Sequence, residues 1–303
     1  MTKDRLTIKR SPSSGPGSPD VTGIHDPETG SIQYIVACPE TSEAALIDVV
    51  QGYDPVSARL DTEIAERVLD LVADSGLTVT WVLDTHPHAD HVMASTHLKD
   101  RTGAPNAIGE KVADIADLWR GFYNLPEAFD VARDFDHLFA DGDQFRLGAM
   151  DVRVMLSPGH TLGSITYVVG RDAAFVHDTF MQPDVGTARA DFPGGTAAQL
   201  YDSLMAILEL PDDMRLFVGH DYGTDTRDGP AWESTVAEQR RDNAHVGGGI
   251  TREAYVALRE RRDSTLPLPD RMLAALQLNL RAGRKPPAEG DGHAYLKIPL
   301  DKF

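Results

Sequence analysis

The chain has a single cysteine, Cys38, in 303 residues. No intrachain disulfide can form, which fits a reducing compartment. Cys38 lies in the apolar stretch Tyr34-Ile35-Val36-Ala37-Cys38 and reads as a buried structural thiol. Long apolar runs are missing too. Nothing approaches the ~20 residues needed to cross a bilayer. The first residues, Met1-Thr2-Lys3-Asp4-Arg5, lead into no apolar segment of the secretory kind. A cytoplasmic protein with no membrane partner is the expectation. Positive charge is scarce: 29 Lys and Arg stand against 47 Asp and Glu, a formal net charge of -18. That argues against nucleic acid as a partner, because phosphate binding needs basic surface. It leaves room for a local basic pocket that takes a small anion.

Residues 1–20 are rich in Ser, Pro and Gly and read as a flexible N-terminal arm. No linker divides the rest, so residues 21–303 are expected to form one catalytic domain with helices at its C-terminal end. Residues 31–37 and 44–50 pattern as strands. Residues 61–75 pattern as a helix, with Ile64, Val68, Leu71 and Val72 at helical spacing and Gly76 at the C-cap. Residues 78–83 are again a strand. A helix is expected over 92–102, and a hairpin turn at Ala140-Asp141-Gly142-Asp143. The aromatic-bearing stretch 120–125 suits either a cover over a site or core packing.

The strand at 78–83 ends in Asp84-Thr85-His86-Pro87-His88-Ala89-Asp90-His91. Imidazole and carboxylate are the usual N and O ligands of zinc and non-haem iron. His86 and His88 are two apart and share a side in extended backbone. Three later strands also stop at such groups: residues 151–156 before Gly159-His160-Thr161, residues 173–176 before His177-Asp178, and residues 215–218 before Gly219-His220-Asp221-Tyr222. Core packing does not explain four strands that each end in His or Asp. Active sites of layered α/β folds lie at the carboxyl ends of strands.

His86-Pro87-His88-Ala89-Asp90-His91, followed in order by His160, Asp178 and His220, resembles the metallo-β-lactamase superfamily. The implied fold is an α/β αββα sandwich, two mixed β-sheets face to face with helices outside and metal at one edge. Within it, Pro183-Asp184-Val185-Gly186-Thr187-Ala188-Arg189-Ala190-Asp191-Phe192-Pro193-Gly194-Gly195, and in the tail Asn279-Leu280-Arg281-Ala282-Gly283 followed by Tyr295-Leu296-Lys297-Ile298-Pro299, are similar to bacterial glutathione-dependent persulfide dioxygenases. The resemblance implies one Fe(II) per chain, held by His86, His160 and Asp178. His88, Asp90, His91 and His220 become the catalytic side chains around it, orienting the ligands by hydrogen bonds. Arg189 and Tyr222 match positions that contact glutathione. For Arg189 the plainer reading is a salt bridge to Asp191 or Asp184. The implied reaction takes glutathione persulfide and O2 to sulfite and glutathione, in a homodimer. Many relatives have glycine where His177 stands here, and His177 is expected to pack or to support a ligand. His25, His97, His137, His245 and His293 lack motif context and read as surface or structural.

A second reading keeps the same side chains but two Zn(II) per chain. His86, His88 and His160 would hold one ion, and Asp90, His91 and His220 the other, with Asp178 between them. That would be a metallohydrolase, a thioesterase of the glyoxalase II type or a lactonase.

Overall fold

Alternation along the central strands sorts their side chains into two layers. The strand Ile32–Ala37 turns Ile32, Tyr34 and Val36 to one side and Ile35 and Ala37 to the other. Glu43–Ile47 does the same with Ala45 and Ile47 against Ala44 and Leu46. The computed structural model, which describes residues 6–225 and 227–302, follows that division. One set faces a second sheet. Tyr34 meets Phe175 and Phe217 edge-on at ring separations of 5.1 and 5.6 Å. The other set is covered by the helices Glu63–Asp74 and Ser95–Thr102, through Ala65, Val68, Val72 and Leu98.

Each large sheet is mixed. The first has seven strands in the order Thr7–Ser11, Asp20–His25, Ile32–Ala37, Glu43–Ile47, Thr78–Leu83, Asn106–Gly109 and His137–Phe139. Its pairings are antiparallel up to Glu43–Ile47 and parallel beyond. The second has six: Gln144–Leu147, Met150–Leu156, Ile165–Val169, Ala173–His177, Arg215–Val218 and Glu233–Thr235. Only its pair Ala173–His177 with Arg215–Val218 is parallel. A small third sheet joins Arg59–Asp61, Val50–Asp54 and Val92–Met93. This is the αββα architecture.

Three local expectations change. Residues 1–5 lie outside the described residues, but the rest of the expected flexible arm is tied down. Thr7–Ser11 pairs antiparallel with Asp20–His25. Beyond it, the Ser14 and Ser18 hydroxyls donate to Asp172 (2.6 and 2.9 Å), and Asp172 is in turn paired with Arg215 (3.1 Å). Serines that read as linker composition are the hydrogen-bond donors of that anchor. The turn at Ala140–Asp143 is not a hairpin: His137–Phe139 belongs to the first sheet and Gln144–Leu147 to the second. The expected helix at 92–102 begins only at Ser95, because Val92–Met93 pairs with Val50–Gln51.

The stretch 120–125 serves packing. It ends the helix Val112–Tyr123, and the Tyr123 hydroxyl donates to the Leu273 carbonyl (3.0 Å) on the helix Met272–Asn279. That last helix reaches back to the motif. The buried Asn279 donates from Nδ2 to the carbonyls of His88 and His91, both at 2.8 Å, and accepts from Met93 N at 2.8 Å. One side chain thus pins both ends of the tightest part of the histidine-rich loop.

Candidate metal centre

Three strand ends bring the first group together. His86 follows Thr78–Leu83, His160 follows Met150–Leu156, and Asp178 follows Ala173–His177. Asp178 Oδ2 lies 3.6 Å from His86 Nε2 and 3.5 Å from His160 Nε2. All three are buried, and each offers a ligand atom within 4.8 Å of the others. His88, Asp90 and His91 form a second such group. Buried polar atoms normally find partners, yet His86 Nε2 and both ring nitrogens of His91 have none among the described residues. Donor atoms left bare in this way, with a carboxylate among them, fit a divalent cation.

Hydrogen bonds behind the rings fix which nitrogen is free. The Thr85 hydroxyl has one proton. Its Oγ1 lies 2.8 Å from Asp48 Oδ2 and 3.0 Å from His86 Nδ1. Given to Asp48, that proton leaves Thr85 to accept from His86 Nδ1–H, so Nε2 carries the lone pair. His160 Nδ1 donates to the Arg189 carbonyl (2.8 Å), which frees its Nε2 likewise. Asp48 also stands 3.2 Å from His88 Nε2 and accepts from Thr85 N at 2.8 Å.

Asp48 therefore supports His86 and His88. It has no motif context in the sequence, and its positive φ of 51° at a strand end is a tertiary feature. Burial would raise its pKa, but His88 and the Thr85 hydrogen bonds bring it below the usual carboxylate range. The neighbouring Asp84 goes the other way. Burial and the Asp48 charge push it up to about 8, so near neutral pH only one of these two buried carboxyls is ionised. Replacing Asp48 by alanine is expected to weaken metal binding by about 10–100-fold, measured by chelator competition. Thr85→Val, which cuts only the His86 branch, should lose less.

His220 sits between two carboxylates. Its Nδ1 lies 2.6 Å from Asp178 Oδ1 and its Nε2 2.8 Å from Asp90 Oδ2. Burial opposes charge on the ring, yet Asp178 and Asp90 raise its pKa well above the ordinary histidine value. Asp178 responds in kind: burial would raise it, and His220 with His160 holds it far below the usual range. Gly219 makes room for this contact, since a Cβ there would stand 2.6 Å from Asp178 Oδ1. Gly159, with φ +133°, would likewise drive a Cβ to 2.2 Å from Leu200 N, just before His160.

The remaining predicted residues are also placed. Tyr222 is 68% exposed, stacks on His220 at 5.5 Å and points its hydroxyl at Asp90 Oδ2 from 3.4 Å. Arg189 lines the cleft, but its guanidinium is already bidentate to Asp191 (2.6 and 2.8 Å) and donates to the Pro267 carbonyl (2.6 Å). Its backbone carbonyl is what touches His160. His177, at φ +41°, turns Nε2 toward Ser157 and Thr179 (3.1 and 2.8 Å), and it joins neither donor group. Its ring packs 5.3 Å from that of His86. His25 is buried and holds the Asp221 carbonyl (3.0 Å), while His245 accepts from Thr187 N (2.9 Å). Both are structural.

The two donor groups open into one cleft of about 470 Å³, walled by Met181, Val185, Phe192 and the segment from Leu266 to Asp270. The sequence profile described as the metallo-beta-lactamase superfamily matches residues 28–220. The chain belongs to the metallo-beta-lactamase superfamily. Its His/Asp cluster fits the metal site of an enzyme of that superfamily.

Among relatives, the chain is 54% identical to a "Beta-lactamase hydrolase-like protein" of Xylella fastidiosa, over 94% of its own length. It spans 65% of the length of that relative. It is 29% identical to the mitochondrial persulfide dioxygenase ETHE1 of Homo sapiens, over 87% of this chain and 89% of that one. Among solved structures, ETHE1 from Myxococcus xanthus superposes with a TM-score of 0.69 at 31% identity, covering 87% of this chain and 99% of that one. No helix among the described residues is long and apolar enough to cross a membrane.

Proposed function

We infer that this metallo-beta-lactamase superfamily member is a persulfide dioxygenase. It takes glutathione persulfide, O2 and water to glutathione and sulfite, with one Fe(II) held by His86, His160 and Asp178. The balance closes: the sulfur–sulfur bond breaks, the outer sulfur loses electrons to become sulfite, and O2 takes up the four electrons released. The observation that carries this reading is His220. Its Nδ1 donates to Asp178 Oδ1 and leaves Oδ2 with the two histidines, while its Nε2 stands 2.8 Å from Asp90 Oδ2. That arrangement favours one ion with two His and one Asp, the facial set of non-haem iron oxygenases. The likeness to ETHE1 supports it.

Bound Fe(II) supplies a redox-active centre where a persulfide sulfur and O2 can meet. The protein's own groups do the rest. The Arg189 carbonyl and Thr85 hold His160 and His86 with Nε2 forward. Phe192, edge-on to His160 at 5.3 Å, excludes water from one side of the cluster. The glutathione end of the substrate lies in the cleft below Leu266 and Pro267.

A second reading, the dizinc hydrolase, rests on the group His88, Asp90 and His91 and on the hydrolase-like relative. Metal analysis separates the two. Protein purified without added metal is expected to carry about one iron per chain. Two zinc ions per chain would favour the hydrolase.

A further inference from the structure

His177 joins neither donor group, yet it stands where four ligand-bearing strands come to an end. Its backbone closes the strand Ala173–His177 at a register shift against Arg215–Val218. Its carbonyl accepts from Gly219 N, just before His220, at 3.2 Å. The side chain is buried and turns inward. Its Nε2 lies 3.1 Å from Ser157 Oγ, three residues before His160, and 2.8 Å from Thr179 Oγ1, next to Asp178. The ring packs on that of His86 at 5.3 Å, tilted by 55°. One residue thus touches the segments that carry His86, His160, Asp178 and His220.

The position is a costly one for histidine. Its φ of +41° lies in the left-handed region, where glycine sits freely and a residue with a Cβ is strained. Other non-glycine residues of the chain also take positive φ, so the conformation alone points to nothing. Here a second cost accompanies it: Nδ1 is buried and has no partner among the described residues. A side chain that only filled space would be apolar and would leave no such orphan. What accounts for an imidazole is the work of Nε2. Ser157 Oγ also reaches Thr166 Oγ1 at 3.0 Å, so the tie runs on into the strand Ile165–Val169.

We propose that His177 is a positioning residue, which locks the strand ends carrying His86, His160 and Asp178 at the mutual spacing that one metal ion needs. It acts through Ser157, Thr179 and the His86 ring, and it touches neither metal nor substrate. Donor groups held in place beforehand bind more tightly, because the ordering is not charged to the binding step. The inference rests on His86, His160 and Asp178 as ligands, which the iron and dizinc readings share.

The test uses the full chain freed of metal, with Co(II) as the probe, since its visible absorption reports how the ligands are arranged. His177→Gly is expected to bind Co(II) about tenfold more weakly in chelator competition, as for loss of a partner behind a ligand, and to shift the visible bands. His177→Leu, which keeps the bulk but not the polar tie, should do the same. His177→Gln, whose amide reaches as far as Nε2, should recover most of the affinity and the wild-type bands. His177→Leu and His177→Gln share the backbone strain, so the difference between them isolates the tie. If none of the three folds, judged by the thermal midpoint, Ser157→Ala combined with Thr179→Val cuts the same tie from its far end and should reproduce the weaker binding. Wild-type affinity and bands in His177→Gly or His177→Leu, with only the thermal midpoint lowered, would make the residue a filler and overturn the proposal. So would His177→Gln binding no better than His177→Leu. A wild-type chain that takes up no Co(II) would bring down the metal centre itself, and the role of His177 with it.

Discussion

Replacing Asp178 by alanine is expected to strip the metal and to cut turnover by about a hundredfold or more. That is beyond the 10–100-fold typical of losing a partner that only supports a ligand. Three consequences combine in this one residue. Asp178 Oδ2 is the only carboxylate oxygen that faces both His86 Nε2 and His160 Nε2 among the described residues. Oδ1 is the acceptor for His220. Removing it leaves the buried His220 with Asp90 as its remaining carboxylate neighbour and its Nδ1 without an acceptor. Asp178→Asn keeps the shape but not the charge, so it should also lose metal while remaining folded. Metal content by elemental analysis and the thermal midpoint, measured on the same samples, separate a lost ligand from a lost fold.

The largest effect on stability is expected away from the metal, at the buried pair Arg259–Asp263. Arg259 is 1% exposed and Asp263 4%. The guanidinium lies 2.6 Å from Asp263 Oδ1 and donates to the Thr187 carbonyl at 2.9 Å, while Asp263 Oδ2 accepts from Ala190 N at 2.9 Å. Asp263→Ala would leave a buried guanidinium without its counter-ion and should cost about 3–5 kcal/mol, read from urea unfolding. Arg259→Met together with Asp263→Ala should cost less than the sum of the single changes, because the two charges exist for each other. The pair clamps the segment from Thr187 to Ala190, and the Arg189 carbonyl within it orients His160. Loss of the clamp should therefore weaken metal binding as well, with no ligand touched. Full metal affinity in a destabilised Asp263→Ala protein would break that link.

Much of the donor set was legible because it obeys a local rule. Each ligand-bearing strand carries apolar residues up to its end, and a His or Asp just after it interrupts that pattern abruptly. His86, His160, Asp178 and His220 all announce themselves in this way. Asp48 also stands at a strand end, but it is a single acid before Val49-Val50, and nothing local distinguishes it from a surface turn. Its role appears only when the parallel pairing of Glu43–Ile47 with Thr78–Leu83 sets it beside Thr85. Asn279 is harder still. It acts 191 residues from His88, through a packing of the last helix that no local pattern encodes.

The N-terminal arm failed for the opposite reason. Its Ser and Pro content argues for disorder, and the order comes from an edge of the sheet and the Asp172–Arg215 pair waiting elsewhere in the chain. For Arg189 the two readings turned on whether Asp191 was near enough to capture it, and the structure gives a bidentate contact.

Oxygen uptake on adding glutathione persulfide tests the proposed chemistry most directly. The expected result is consumption of about one O2 per persulfide, as the balanced reaction requires, with sulfite formed in step and no uptake in Asp178→Ala. Cleavage of S-lactoylglutathione without oxygen consumption, by protein that ignores the persulfide, would contradict it and leave the dizinc hydrolase.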